Sequence, residues 1–274
     1  LEQKKLKKYV TILMIIFVAA YRLLKKQIKA QSHFKPLKIG HRGAAGYCPE
    51  NTFASFHKAL ELGADYLEID IQMTKDEELV VIHDATVNRT SNGKGKVKDF
   101  TLSEIQTLDA GSWFKPEFAG EKIPSFNEFL DEFAGKAGLL IELKKPSLYP
   151  GIEAKLANEL IKRGLVGANK HPIIVQSFDR TSLKHFHNLL PSVPIGVLVK
   201  NRAVNGIPNK DLQFFSEFAT YINPKIAIVN KRLINRIHQH GFKVFIWTVK
   251  KKSEANMLQR IGVDGIVSDY PDFF

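Results

Sequence analysis

One cysteine, Cys48, is all that 274 residues offer for cross-linking. There is therefore no internal disulfide framework and no thiolate cluster to hold a metal. Long apolar sequence is missing too. The run Tyr9–Leu24, YVTILMIIFVAAYRLL, holds 16 residues and includes Thr11 and Arg22, which is short of the roughly 20 that span a bilayer comfortably. No small-x-small cleavage site follows it, and RLLKK is a poor exit from a secretory signal. Acids are almost absent from the first 38 residues, where Glu2 faces ten lysines and arginines, so +9 of the net +12 sits there. The rest of the chain has thirty basic and twenty-seven acidic residues, a net of only +3. With no stacking motif either, that remainder does not read as a nucleic-acid binder.

What is present first is a basic, apolar leader. Lysines precede the run and more basic residues follow it, and snorkelling of Arg22 and the flanking lysines extends its reach. Residues 1–36 read as a hydrophobic helix and linker, a retained membrane anchor or interfacial segment. A cleaved signal and an ordinary packed helix are the alternatives. Residues 37–274 are long enough for a single domain of repeated strand-helix units.

Short β-branched runs recur along that domain: LKIG at 37–40, YLEIDI at 66–71, LVVIH at 79–83, GLLIEL at 138–143, PIIVQSF at 172–178, PIGVLV at 194–199, TYIN at 220–223, KVFIWTV at 243–249 and DGIVSD at 264–269. Helical stripes with caps lie between many of them, as in PENTFASFHKALELGA, where Asn51 or Thr52 is available as a cap and Gly63 as a stop. Strand alternating with helix implies a parallel sheet covered on both faces, open or closed into a barrel. Nine runs compete for eight barrel places, and TYIN is the weakest candidate. Between Ile71 and Leu79 there is no room for a helix. Seven residues at about 3.3 Å each still reach about 23 Å, enough to run back down a strand and start again. The segment 85–124 is too long and too rich in turns to be a plain connection, and insertions of that size usually serve a site.

In a parallel barrel the strand carboxyl ends carry function. The first run ends in His41-Arg42, the second carries Glu68 and Asp70, the third ends in His83-Asp84, and the fourth carries Glu142 and Lys144. Gln176, Ser177, Trp247 and Asp269 take equivalent places. Glu68 and Asp70 share one face of a strand whose other face, Leu67, Ile69 and Ile71, is apolar. An inward carboxylate pair repels unless a cation or lysine neutralises it, and Glu142 poses the same problem. Three oxygen donors without a sulfur or histidine cluster read as a site for a hard divalent ion, Ca²⁺ or Mg²⁺. His41 and His83 bracket it, and histidine is the side chain best placed to exchange protons near neutral pH. Arg42 and Lys144 supply fixed positive charge for an anion, most simply a phosphate. His33, His171, His185, His187, His238 and His240 fall in the linker or on helices and their ends, and read as surface or packing residues.

In this order, HRGAAGYCPENT, EIDIQMTKDEELVVIHD, RTSNGKG, IELK, QSF, VFIWTV and GVDGIVSDYPD resemble the glycerophosphodiester phosphodiesterase family over residues 39–272. The resemblance implies a (β/α)8 TIM barrel with a small insertion after the third strand. It also implies metal-dependent hydrolysis of small glycerophosphodiesters to glycerol phosphate and an alcohol. By resemblance, His41 and His83 are the acid/base pair, Glu68, Asp70 and Glu142 ligate the metal, and Arg42 and Lys144 hold the phosphate. Trp247 matches a position lining the substrate pocket, and 85–124 matches the insertion that helps recognise glycerol. Glu50 reads either as a brace for these residues or as an acid favouring the adjacent helix N-terminus. Two rival readings follow from the leader: a membrane-held lysophospholipase D or phospholipase C-like enzyme on lipid phosphodiesters, and a catalytically silent membrane-attached binding barrel. Charges flanking the leader are nearly balanced. No cysteine pattern demands a reducing compartment and family members are often exported, so the catalytic domain is expected outside the cytoplasm.

Overall fold

Eight short strands pair in parallel and close on themselves. A computed structural model of the chain describes residues 35–167, 172–200 and 206–274, together with Met14 and Phe17. The rest of the apolar run Tyr9–Leu24, and also His33 and His171, lie outside the described residues. Among the described residues no helix is long and apolar enough to cross a membrane. The chain falls into two units, Leu1–Lys35 and Pro36–Phe274, and the fold and the site belong to the second.

The strands are β1 (Leu37–Gly40), β2 (Tyr66–Met73), β3 (Leu79–Val81), β4 (Gly138–Leu143), β5 (Ile173–Ser177), β6 (Ile195–Val199), β7 (Tyr221–Pro224), β8 (Lys243–Val249) and β9 (Gly265–Ser268). All but β3 run in parallel, in the order β1-β9-β8-β7-β6-β5-β4-β2, and β1 pairing with β2 closes the ring. This is the TIM barrel expected from the sequence. The helices are α1 (Phe53–Glu61), α2 (Leu102–Thr107), α3 (Phe126–Phe133), α4 (Ile152–Lys162), α5 (Arg180–Leu189), α6 (Asn209–Phe215), α7 (Lys231–Gln239) and α8 (Lys252–Ile261), of which all but α2 cover the barrel.

Alternation along β2 shows how the strands serve two cores at once. Leu67, Ile69 and Ile71 belong to the large apolar layer between sheet and helices, with Phe56 of α1 and Phe129 and Phe133 of α3. The Phe56 and Phe129 rings meet edge to face at 4.8 Å. Phe129 is fully buried, so Phe129→Ala is expected to cost about 3–5 kcal/mol of stability, read as a lower urea midpoint. Tyr66 instead joins Ile39, Leu140, Ile174, Tyr221, Phe245 and Val267, one from each of seven barrel strands, in a separate buried cluster. It is the packed floor expected of an eight-stranded barrel. Gly196 occupies the corresponding stretch of β6, where a Cβ would stand 2.8 Å from the Asn223 side-chain amide. Farther along the strands, Glu68, Asp70, Gln176, Asn223 and Glu142 are buried where apolar residues would otherwise sit.

Two expectations are corrected. TYIN, the weakest run, is barrel strand β7. The third run is not a barrel strand: β3 lies antiparallel on β2 in the register Ile71↔Val81, Gln72↔Val80, Met73↔Leu79. Chain length allows a return to the barrel floor, but β2 continues past its last pairing with β4 at Ile71. A turn closed by Thr74 N–H donating to Glu78 O at 2.9 Å then folds β3 straight onto it. His83 thus comes back down toward the barrel mouth instead of rising to it. Its approach is fixed by Ile82 N–H donating to Asp70 O at 2.9 Å and by Gln72 Nε2 donating to His83 O at 2.8 Å.

The segment 85–124 follows β3 and packs on it. Val80 and Ile82 share a small core with Val87, Val97, Ile105, Ala110 and Ile123. Asp109 ties its far loop together by accepting from the N–H groups of Gly111, Ser112 and Gly120 at 2.8–2.9 Å.

Candidate active site

Between the end of β1 and the start of α1 the chain turns sharply, with Arg42 at φ 52° and Asn51 at φ 58°. Gly43, at φ 84°, lies so close to Ser55 that a Cβ would stand 2.5 Å from it, so only glycine fits there. Thr52 caps α1 by accepting from Ser55 N–H at 3.3 Å. Asn51 is thereby free to donate from Nδ2 to Asp70 Oδ2 at 3.0 Å.

Glu68, Asp70 and Glu142 converge, each offering an oxygen within 4.8 Å of the others. Ligands about 2.0–2.6 Å from a central hard cation stand at most about 4–5 Å apart, so the spacing suits one ion. The only cations beside them are Arg42, whose Nε is 3.1 Å from Asp70, and Lys144, whose Nζ is 2.7 Å from Glu142 and 3.6 Å from Asp70, among the described residues. Three buried carboxylates against two cations leave a deficit of positive charge. Burial, then the neighbouring Asp70 and Glu142, push the Glu68 carboxyl well above the usual range. Burial, opposed by Lys144 and reinforced by Asp70, pushes Glu142 up to about 7. Burial acts in the same direction on Asp70, but Arg42 and Lys144 outweigh it and hold that carboxyl well below its usual range. Asp70 Oδ1 is also buried without a hydrogen bond, its nearest cation among the described residues being Lys144 Nζ at 3.6 Å, which leaves it able to take a closer positive charge. The donor set, the charge deficit and the orphaned oxygen all fit a divalent ion.

His41 and His83 are built alike. Nδ1 of His41 is 2.5 Å from Asp269 Oδ1, and Lys250 Nζ lies 3.1 Å from the other oxygen of that carboxylate. Nδ1 of His83 is 2.6 Å from Asp84 Oδ1, and Arg89 Nε donates to the other oxygen at 2.8 Å. A carboxylate only accepts, so Nδ1 of each ring carries the proton and Nε2 is left to exchange one. Burial, and then Arg42, lowers the His41 pKa against the pull of Asp269. Burial is likewise the chief cause lowering His83, with Asp70 opposing and Arg42 and Lys144 adding to it.

Glu50 lies between two guanidiniums, accepting from Arg42 Nη1 at 2.8 Å and from Arg89 Nη1 and Nη2 at 2.8 Å. It joins the first turn to the insertion. Trp247 donates from Nε1 to Asn223 O at 2.7 Å and meets Phe178 edge to face at 5.5 Å. Gln176 spans the interior, taking a hydrogen bond from Asn223 Nδ2 at 2.9 Å and approaching Glu68 at 3.5 Å. Ser177 donates to Leu143 O and supports the backbone. All eight residues singled out as catalytic, metal-ligating or substrate-binding therefore meet at one mouth. His41, Arg42, Glu68, His83, Glu142, Lys144 and Trp247 line one cavity of about 80 Å³. His185, His187, His238 and His240 lie on or next to α5 and α7, outside the barrel.

Sequence reasoning missed Asn51, Arg89, Lys250 and Asn223 as supports of this mouth, and assigned Asp84 and Asp269 no partner. Arg89 opens RTSNGKG, but its spacing carries no sign of the two carboxylates it joins.

A family model described as the glycerophosphoryl diester phosphodiesterase family matches residues 41–273. A glycerophosphodiester phosphodiesterase of Bacillus subtilis (strain 168) is 39% identical over 248 residues, covering 87% of this chain and 85% of that protein. One of Caldanaerobacter subterraneus subsp. tengcongensis is 41% identical over 240 residues, covering 87% and 96%. Among solved structures, a phosphodiesterase of Oleispira antarctica in complex with the product sn-glycerol-3-phosphate superposes with a TM-score of 0.79 at 29% identity, covering 88% of this chain and 96% of that one. Barrel, mouth and likeness together define a phosphoric diester hydrolase. More narrowly, the chain belongs to the glycerophosphoryl diester phosphodiesterase family.

Proposed function

We propose that the barrel mouth hydrolyses glycerophosphodiesters to glycerol phosphate and an alcohol, with Glu68, Asp70 and Glu142 holding one divalent cation, Ca²⁺ or Mg²⁺. The observation that carries this reading is the meeting of three buried, under-neutralised carboxylates with two histidines whose Nδ1 atoms are held by carboxylates and whose Nε2 atoms have no hydrogen-bond partner among the described residues. When bound, such an ion supplies Lewis-acid stabilisation of the charge that grows on the phosphoryl oxygens. Arg42 and Lys144 add fixed positive charge for the same oxygens. One of the two histidines takes the proton from the attacking hydroxyl while the other protonates the departing alkoxide. Asp269 and Asp84 hold the rings in the tautomer this exchange needs. Arg42→Lys is expected to lower kcat/KM about 10- to 100-fold, because an ammonium cannot replace a planar donor and a charge-assisted hydrogen bond is lost.

The deciding experiment is product analysis. With glycerophosphocholine and a divalent cation, release of glycerol phosphate and choline supports the proposal, whereas phosphocholine and glycerol would replace it with cleavage on the other side of phosphorus. Neither rival gains an observation: the two curated relatives described above carry the glycerophosphodiester name, and the candidate acids and histidines converge at one mouth.

For location, our reading is a membrane-attached enzyme, which the basic apolar leader favours, with its catalytic domain outside the cytoplasm. The second part rests on the lack of a cysteine pattern demanding a reducing compartment and not on the leader's nearly balanced flanking charges. A chain beginning at His33 is expected to remain in the soluble fraction and to keep its turnover on small diesters, since every site residue follows it. Protease added to intact cells should remove the activity of the full chain; protection would reverse the assignment.

A further inference from the structure

Outside the inner cavity, the mouth opens into a groove of about 680 Å³ that runs from His83 across the ends of β4 to β8. A three-carbon glycerol arm would leave most of it empty. The part of the groove away from Ala85 and Thr86 of the insertion has room for the alcohol side of the substrate, and its charge bears on which alcohol that is. Lys145, Lys200 and Lys225 line it and are exposed. Among the described residues none of the three has an ion-pair partner, while the acids that share the groove are all engaged. Asp84 is held by His83 and Arg89, Glu142 by Lys144, and Asp179 caps α5 by accepting from Thr181 and Ser182 N–H at 3.0 Å.

The aromatic residues do not reverse this. Phe178 and Trp247 form the pair that would attract a quaternary ammonium. Yet Lys200 Nζ stands 5.2 Å and Lys144 Nζ 5.9 Å from the centre of the Phe178 ring. A choline headgroup placed against this ring would meet two like charges within 6 Å of its centre.

Resting on the phosphodiesterase reading above, we infer that the preferred substrates carry a second negative charge on the alcohol, such as a further phosphate one glycerol unit away from the scissile one. Lys145, Lys200 and Lys225 hold that charge, and the site selects against cationic alcohols. Long ammonium side chains suit a displaced, hydrated anion better than a rigid fork does.

Three diesters that share the glycerophosphoryl half test this: glycerophosphoglycerol bearing a terminal phosphate, glycerophosphoglycerol itself, and glycerophosphocholine. The expected order of kcat/KM is anionic, neutral, cationic. The anionic substrate should lead the cationic one by at least about tenfold at low salt, and the lead should shrink at high ionic strength. In the double variant Lys200→Gln, Lys225→Gln the ratio of anionic to neutral kcat/KM should fall toward one. Equal turnover of all three, a preference for choline, or an unchanged ratio in the variant overturns the inference and leaves the phosphodiesterase reading intact. Failure to turn over any of the three with divalent cation present overturns both.

Discussion

His41→Ala and His83→Ala are each expected to lower kcat by about 10²–10⁴-fold, the range typical of losing a general acid or base. Folding should be largely unaffected, because each truncation leaves the supporting carboxylate with another partner. Asp269 keeps Lys250 at 3.1 Å, and Asp84 keeps Arg89 at 2.8 Å. The two rings also sit on different supports, one on barrel strand β1 and the other on the return of β3. A shared defect in both variants therefore points to chemistry more than to local collapse. Steady-state turnover with a small diester, beside a thermal melt of each variant, checks this. Near-normal turnover in either variant would remove that histidine from proton transfer.

Removal of divalent metal is expected to abolish turnover, and its return to restore it. Glu68→Ala, Asp70→Ala and Glu142→Ala should each weaken metal binding, since each deletes one of three oxygen donors. Stability provides a second readout that does not depend on catalysis. An ion that binds only the folded chain stabilises it by about 2.7 kcal/mol at a hundred times its Kd. The melting temperature of the parent chain should therefore rise with added Ca²⁺ or Mg²⁺, and that of Asp70→Ala should rise much less. Asp70 is the most informative of the three, because its carboxyl is already held ionised by Arg42 and Lys144 and one of its oxygens has no hydrogen bond. Full activity in excess chelator would sink the metal assignment.

Much of this arrangement was legible in the sequence because strand periodicity is strict. Leu67, Ile69 and Ile71 had to share a face, which forced Glu68 and Asp70 onto the other. Once β2 and β4 were placed side by side, Asp70 fell opposite Glu142, and β1 beside β2, with Gly40 opposite Leu67, brought His41 level with Glu68. What escaped was whatever depended on a turn or on contacts remote in sequence. β3 reads as well as any barrel strand, since Leu79, Val80 and Val81 are all buried. Its direction is set by the turn at 74–78, not by its own residues. TYIN looked weak because four residues hold little pattern, yet its Asn223 ties Gln176 to Trp247 and needs that strand to do so. Glu50 was ambiguous because its partners, Arg42 and Arg89, lie 8 and 39 residues away on opposite sides of the mouth.

The join between β1 and β9 has a bearing on how the protein is made. It is the seam where the first barrel strand meets the last, and His41 is fastened across it to a carboxylate that enters the chain 228 residues later. His41 N–H also donates to Ser268 O, and Gly46 N–H to Asp269 O, both at 2.9 Å. During synthesis, then, His41 emerges 228 residues ahead of the carboxylate that orients it. Pairing at such separation comes late in folding, after the more local strand-helix units have formed. A nascent chain can thus possess its carboxylate cluster, its insertion and its second histidine before β9 has docked and fixed the ring of His41.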